Sequence, residues 1–172
     1  MAVRTILQEG DPRLRRLAEP VRQLPSADLD ALIVDLRDTM AAFNGAGLAA
    51  PQIDVNLRVV IFGVTVNPRY PEAPPIPETV LINPVVTPLG GAIDCGEEGC
   101  LSVPDRRAPV RRWRRIHYRG FDGAGRLVER EVEGFHARVV QHEVDHLDGV
   151  LFPDRLLEAQ AASSAASSTS SI

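Results

Sequence analysis

Apolar residues along the chain fall into short periodic blocks separated by turn-forming residues. Between Ala27 and Phe43, Leu29, Leu32, Ile33, Leu36 and Met40 recur at helical spacing, which predicts an amphipathic helix with one apolar stripe. Ser26 stands at its N-cap, Asp28 and Asp30 lie in the first turn where the macrodipole favours negative charge, and Asn44-Gly45 ends it. Arg58–Gly63 (R-V-V-I-F-G) and Thr79–Asn83 predict strands, the second stopping at Pro84. Between them, Pro68, Pro71, Pro74, Pro75 and Pro77 predict a surface loop of polyproline II character. A third strand is expected after Cys100, stopping at Pro104. Residues 110–121 and 126–133, joined by Asp122-Gly123-Ala124-Gly125, read as a hairpin. Its arginines (Arg111, Arg112, Arg114, Arg115, Arg119) face Glu129, Glu131 and Glu133, and cross-strand pairing explains the basic run more simply than a nucleic-acid surface does. A second helix is expected from Gly134, with Phe135, Val139 and His142 on one face and Gly149 as its left-handed stop.

Composition narrows the class. The chain has 172 residues, 44% of them hydrophobic, enough for one ordinary core, and a net charge of −4 that gives no general case for nucleic acid or membrane. The first residues lack an apolar leader and no run of 18 apolar residues occurs, so a soluble, cytoplasmic protein is expected. Residues 1–158 are expected to form a single domain, and the Ala/Ser-rich residues 159–172 a disordered tail. Cys95 and Cys100 are too few for a disulfide framework.

The chemistry concentrates in Gln141-His142-Glu143-Val144-Asp145-His146. His142 and His146 are four apart and share a helix face, and Glu143 is rotated roughly 100° from the first of them. This H-E-x-x-H arrangement lets two imidazoles hold a divalent metal while the carboxylate works as a general base on water. A catalytic site needs a third protein ligand, and too little chain follows His146 to supply one. Cys100, in a Gly-Cys-Leu-Ser turn, is the best upstream candidate. Cys95 joining it in a closed, structural Cys₂His₂ site is the bland alternative, which leaves Glu143 without a task.

Three separated segments resemble the signature motifs of the peptide deformylase family. Gly45-Ala46-Gly47-Leu48-Ala49-Ala50-Pro51-Gln52 is similar to its G-x-G-L-A-A-x-Q, Glu98-Gly99-Cys100-Leu101-Ser102 to its E-G-C-L-S, and Gln141–His146 to its Q-H-E-x-D-H. The resemblance, covering roughly Val3 to Leu157, implies an α+β fold of mixed, mainly antiparallel strands around a central metal-bearing helix. It implies hydrolytic removal of the formyl group from N-formyl-methionyl nascent peptides, releasing formate. Cys100, His142 and His146 would hold one divalent metal per chain, Fe²⁺ in the cell, with Zn²⁺, Ni²⁺ or Co²⁺ as alternatives in purified protein. Glu143 would be the general base, while the Gln52 amide and the Leu101 backbone N–H would face the oxyanion. Gly45, Ala46, Gly47 and Gly99 would pair with the peptide backbone, Phe135 and Val139 would line the methionine pocket, and Glu98 with Arg107 would form a supporting salt bridge.

Pro51, His136 and Arg138 depart from many relatives, and Arg138 is expected to narrow or polarise the pocket mouth. Transient ribosome contact comes with a nascent-chain substrate, although the tail lacks a basic C-terminal helix. A metallopeptidase and a non-catalytic, metal-stabilised binding module stand as the competing functions.

Overall fold

In the computed structural model, which describes residues 2–156 together with 160 and 162, two helices enclose an antiparallel sheet. Helix α1 spans Ala27–Ala42 and α2 spans Gly134–Leu147. The strands are β1 (Gly47–Ala49), β2 (Val59–Val64), β3 (Ile76–Pro88), β4 (Ile93–Cys100), β5 (Val103–Trp113), β6 (Arg115–Phe121) and β7 (Leu127–Glu133). Five of them form one sheet in the order β1-β2-β3-β6-β7, and β4 and β5 form a separate two-stranded hairpin. The expected tail lies outside the described residues apart from Gln160 and Ala162, which are helical and exposed.

Strand periodicity explains the layering. On β2, Val60, Phe62 and Val64 face α2 and pack with Ala137, Val139, Val140 and Leu147. The alternate residues Val59 and Ile61 face α1 and pack with Leu29, Leu32, Ile33, Leu36 and Met40. A strand covered on both faces reads as a continuous apolar run, which is why V-V-I-F was so visible. Burying each such side chain contributes about 1.5–3 kcal/mol. A third cluster joins Leu7 and Leu14 near the N-terminus to Cys100, Val103, Val110, Leu151 and Phe152, fastening the β4–β5 hairpin to the main body.

Both helix boundaries follow their signals. The Ser26 hydroxyl accepts from the Leu29 amide at 3.3 Å, and Gly149 sits at φ +71 two residues past α2.

Prolines mislead in three places. Strand β3 passes through Pro84 because a bulge absorbs it: the register slips between Ile82 and Val85, and Asn83 takes φ +50. The Asn83 side chain then makes two 2.9 Å hydrogen bonds with the Val21 backbone. Strand β5 likewise runs on through Pro104, after a turn at Leu101-Ser102. The proline-rich loop is at the surface, with Pro68, Pro71, Pro74, Pro75 and Pro77 all exposed, but it is not extended. It folds into turns closed by Tyr70 N–H to Asn67 O (3.0 Å) and Ala73 N–H to Tyr70 O (3.1 Å), burying Asn67 and laying Tyr70 on Phe135.

The arginine run divides. Arg115 pairs with Glu131 (2.6 Å) and His117 with Glu129 (2.8 Å) across β6–β7, as cross-strand pairing requires. Arg112 belongs to β5 and points inward, where it is buried.

His136 on α2 faces Tyr118 of β6 (Nε2 to hydroxyl 3.3 Å), Phe62 of β2 and the Arg130 guanidinium of β7 that bonds the same hydroxyl. Burial and then Arg130 hold its pKa at about 4, against 6.5 for a free imidazole. The unfolded chain therefore takes up this proton near pH 6.5 while the folded chain resists until about pH 4, so stability falls between them on acidification. His136→Phe is expected to narrow the gap between melting temperatures measured at pH 7 and near pH 4. At Gly149, a Cβ would lie 2.6 Å from the Arg15 carbonyl oxygen at a left-handed φ. Gly149→Ala is expected to cost about 2 kcal/mol in urea unfolding.

Candidate metal centre

The donors come from two elements. Helical spacing stacks His142 above His146 on α2, with ring centroids 5.0 Å apart, and β4 delivers Cys100 at the end of its hairpin arm. The Cys100 Sγ lies 3.4 Å from His146 Nε2, and all three residues offer ligand atoms within 4.8 Å of one another. All three are buried. Cys95 is exposed and outside this group, so the closed Cys₂His₂ site is not formed.

Glu98 organises the cluster. Its Oε2 takes His142 Nδ1 at 2.9 Å, which fixes the imidazole and leaves Nε2 free to serve as ligand. The same carboxylate receives Arg112 Nε at 2.8 Å and Arg138 at 2.9 Å. Arg112 continues to Asp145, which also holds Arg155 at 2.6 Å. Burial opposes charge on Glu98, but Arg112 and His142 outweigh it and hold the carboxyl far below the usual range. Burial likewise opposes the Cys100 thiolate, yet the neighbouring imidazoles, His146 foremost, bring the thiol well below its ordinary value.

Among the described residues three buried side-chain polar atoms lack a hydrogen-bond partner, and two of them, Glu143 Oε2 and His146 Nδ1, lie in this site, the third being Asn56 Oδ1. Burial raises Glu143 to about 7, against the pull of the two histidines. A thiol held well below its ordinary pKa, two imidazoles, a carboxylate that orients one of them and an uncommitted carboxylate beside them fit a divalent metal with room for chemistry.

Gln52 is fixed in orientation by its neighbours. Its Oε1 accepts from the Ala49 N–H at 2.9 Å, so its amide N–H₂ turns toward Ser102 Oγ (3.0 Å) and Cys100 Sγ (3.6 Å). The pocket above these groups is lined by Ala46, Gly47, Gln52, Gly99, Leu101, Phe135, Val139 and Glu143, among others. Gly45 stands behind it, where a Cβ would meet Leu101 and Met40. Gly47 is a steric requirement: a Cβ there would lie 2.6 Å from Glu143 Cδ.

The expected Glu98–Arg107 bridge is not what the hairpin builds. Register pairs Glu98 with Ala108 and Gly99 with Arg107, so period-two alternation puts Arg107 on the opposite face. It stacks on Tyr70 instead, 4.7 Å from the ring centroid. Arg138 lines the pocket, but its guanidinium is committed to Glu98 and to the carbonyls of Gly96, Val110 and Asp94, so it ties the hairpin to α2. Sequence reasoning missed Arg112, Ser102 and Tyr70. Arg112 had a readable signal, since it shares strand parity with the buried Val110.

Comparisons with known proteins agree with this arrangement. The family model described as polypeptide deformylase matches residues 3–162. Peptide deformylase 1 of Prochlorococcus marinus is 58% identical over 92% of this chain and 83% of its own length. Peptide deformylase 2 of Ralstonia nicotianae is 56% identical over 90% and 87%. A class I type b peptide deformylase from Acinetobacter baumannii, solved with Met-Ala-Ser bound, superposes with a TM-score of 0.86 at 41% identity, covering 90% of this chain and 98% of that one. The Thermotoga maritima peptide deformylase gives 0.79 at 36% identity, covering 90% and 98%.

Glu98→Gln keeps the shape of the side chain but removes the charge that orients His142. Zn²⁺ affinity by chelator competition is expected to fall about 10- to 100-fold, with the circular dichroism of the metal-loaded protein unchanged.

Proposed function

The chain belongs to the polypeptide deformylase family, and we propose that Cys100, His142, His146, Glu143, Gln52 and the Leu101 amide carry out its hydrolysis of N-formyl-methionyl peptides. The observation that carries this reading is the uncommitted Glu143 carboxylate, buried beside a three-donor cluster and facing the pocket.

A divalent cation held by Cys100, His142 and His146 would supply Lewis acidity, polarising a carbonyl and acidifying water. The protein's own groups do the rest. Phe135 and Val139 line the pocket and suit an unbranched apolar side chain, which orients the amino-terminal residue. Glu143 accepts a proton from water as the oxygen adds to the formyl carbon. The Gln52 amide, turned inward by its bond from Ala49, and the Leu101 backbone N–H donate to the oxyanion. Glu143 then returns the proton to the amine nitrogen as the carbon–nitrogen bond breaks, giving formate and a free amino terminus. Burial that raises Glu143 makes it a stronger base than an exposed glutamate.

Thiolate with two imidazoles suits Fe²⁺, and we assign it as the cellular metal, with Zn²⁺, Ni²⁺ or Co²⁺ able to replace it during purification. Among the described residues no helix is long and apolar enough to cross a membrane. A cytoplasmic enzyme acting on nascent chains, with transient ribosome contact, follows from the substrate.

Formate release from formyl-Met-Ala-Ser by anaerobically purified protein, with metal analysis of the same sample, tests the reading. Turnover with about one metal per chain is expected, and full metal without formate would overturn it. Glu143→Gln is expected to retain metal and fold while losing several decades of kcat. Gln52→Leu is expected to lose about 10²–10³.

A further inference from the structure

Two arginines at the mouth of the pocket have no task in this mechanism. Arg69, from the proline-rich loop, lines the catalytic pocket and the groove that adjoins it; Arg107, from β5, lines that groove. Tyr70 is near both, with the Arg107 guanidinium 4.7 Å and the Arg69 guanidinium 5.9 Å from its ring centroid. The Tyr70 hydroxyl in turn sits 3.4 Å from both the amide nitrogen and the carbonyl oxygen of Gly99. Both guanidinium groups converge on that glycine. A Cβ built there would be 3.2 Å from Arg69 Nη2 and 3.2 Å from Arg107 Nη1.

Two like charges aimed at one point repel each other unless an anion lies between them. Among the described residues neither arginine makes an ion pair, whereas Arg112, Arg138 and Arg155 are all paired with carboxylates. Glu72, Asp94 and Glu97 line the same groove, yet none of them bonds to Arg69 or Arg107. The Tyr70 ring draws both guanidiniums to it without taking up their N–H groups, which stay available to an oxyanion.

We propose that Arg69 and Arg107 form a carboxylate-reading pair that favours substrates bearing an acidic side chain at the second or third residue. The inference rests on the deformylase reading. With the formyl group at Glu143 and the first side chain against Phe135 and Val139, the peptide leaves past Gly99 and Tyr70. An extended chain advances about 3.3 Å per residue, so the next one or two side chains pass between the arginines.

The test compares kcat/KM for the amidated peptides formyl-Met-Ala-Glu, formyl-Met-Ala-Lys, formyl-Met-Glu-Ala and formyl-Met-Lys-Ala on metal-loaded protein. Glutamate is expected to win by about fivefold at one position, through KM, with the ratio shrinking as salt is added. Arg69→Gln and Arg107→Gln should each move that ratio toward one, and Arg107→Lys should restore part of it. Each ratio is internal to one variant, so a general loss of activity does not mimic the result. A free acid of formyl-Met-Ala-Ala hydrolysed faster than its amide, with the same dependence on the arginines, would show the pair also reading a terminal carboxylate. Equal rates for glutamate and lysine peptides, or a preference that survives both substitutions, would overturn the inference while leaving deformylation intact. No formate from any peptide would overturn the deformylase reading and this inference with it.

Discussion

One buried carboxylate decides the arrangement of everything near the pocket. Glu98 is 3% exposed and carries Arg112, Arg138 and His142 at once. A lone carboxylate at that depth would cost several kcal/mol, and the guanidiniums offset this only because their geometry satisfies both oxygens. The contacts cross between elements: Arg112 comes from β5, Arg138 and His142 from α2, and Glu98 itself from β4. Charge pairing thus ties the small hairpin to the helix that bears two of the three metal donors.

The electrostatics of the site follow from the same burial. Desolvation and neighbouring charges pull in opposite directions, and the winner differs by residue. At Glu98 the cations prevail and the carboxylate stays ionised. At Glu143, one position along α2 from His142, desolvation prevails over the pull of the two histidines. Two glutamates lining the same pocket are thereby separated into one held ionised and one whose affinity for a proton is raised.

Much of this was legible in the sequence because local periodicity wrote it there. Helix α1 and its Ser26 cap, the doubly covered β2 and the His142/His146 face all follow from spacing within one element. Cys100 was also legible as a candidate, and the fold brings its sulfur to the two histidines. What stayed hidden depends on how strands register against each other. Whether Glu98 meets Arg107 or Arg112 is a matter of which face each occupies after the Leu101-Ser102 turn, and no single-strand pattern states the register of its partner. Pro84 and Pro104 looked like terminators because the bulge and the turn that absorb them are supplied by tertiary contacts such as Asn83 with Val21. The turns of the proline-rich loop are seated by Tyr70 against Phe135, a partner far away in sequence.

Cys100 and Glu98 ride on the same hairpin arm, while both histidines ride on the helix. The hairpin is a sheet of its own beside the five-stranded one, and it rests on the third apolar cluster and the Glu98 ion network. A displacement of that arm would shift the Cys100 sulfur and the carboxylate that orients His142 together, so the spacing of the donor set depends on how the hairpin seats on the helix.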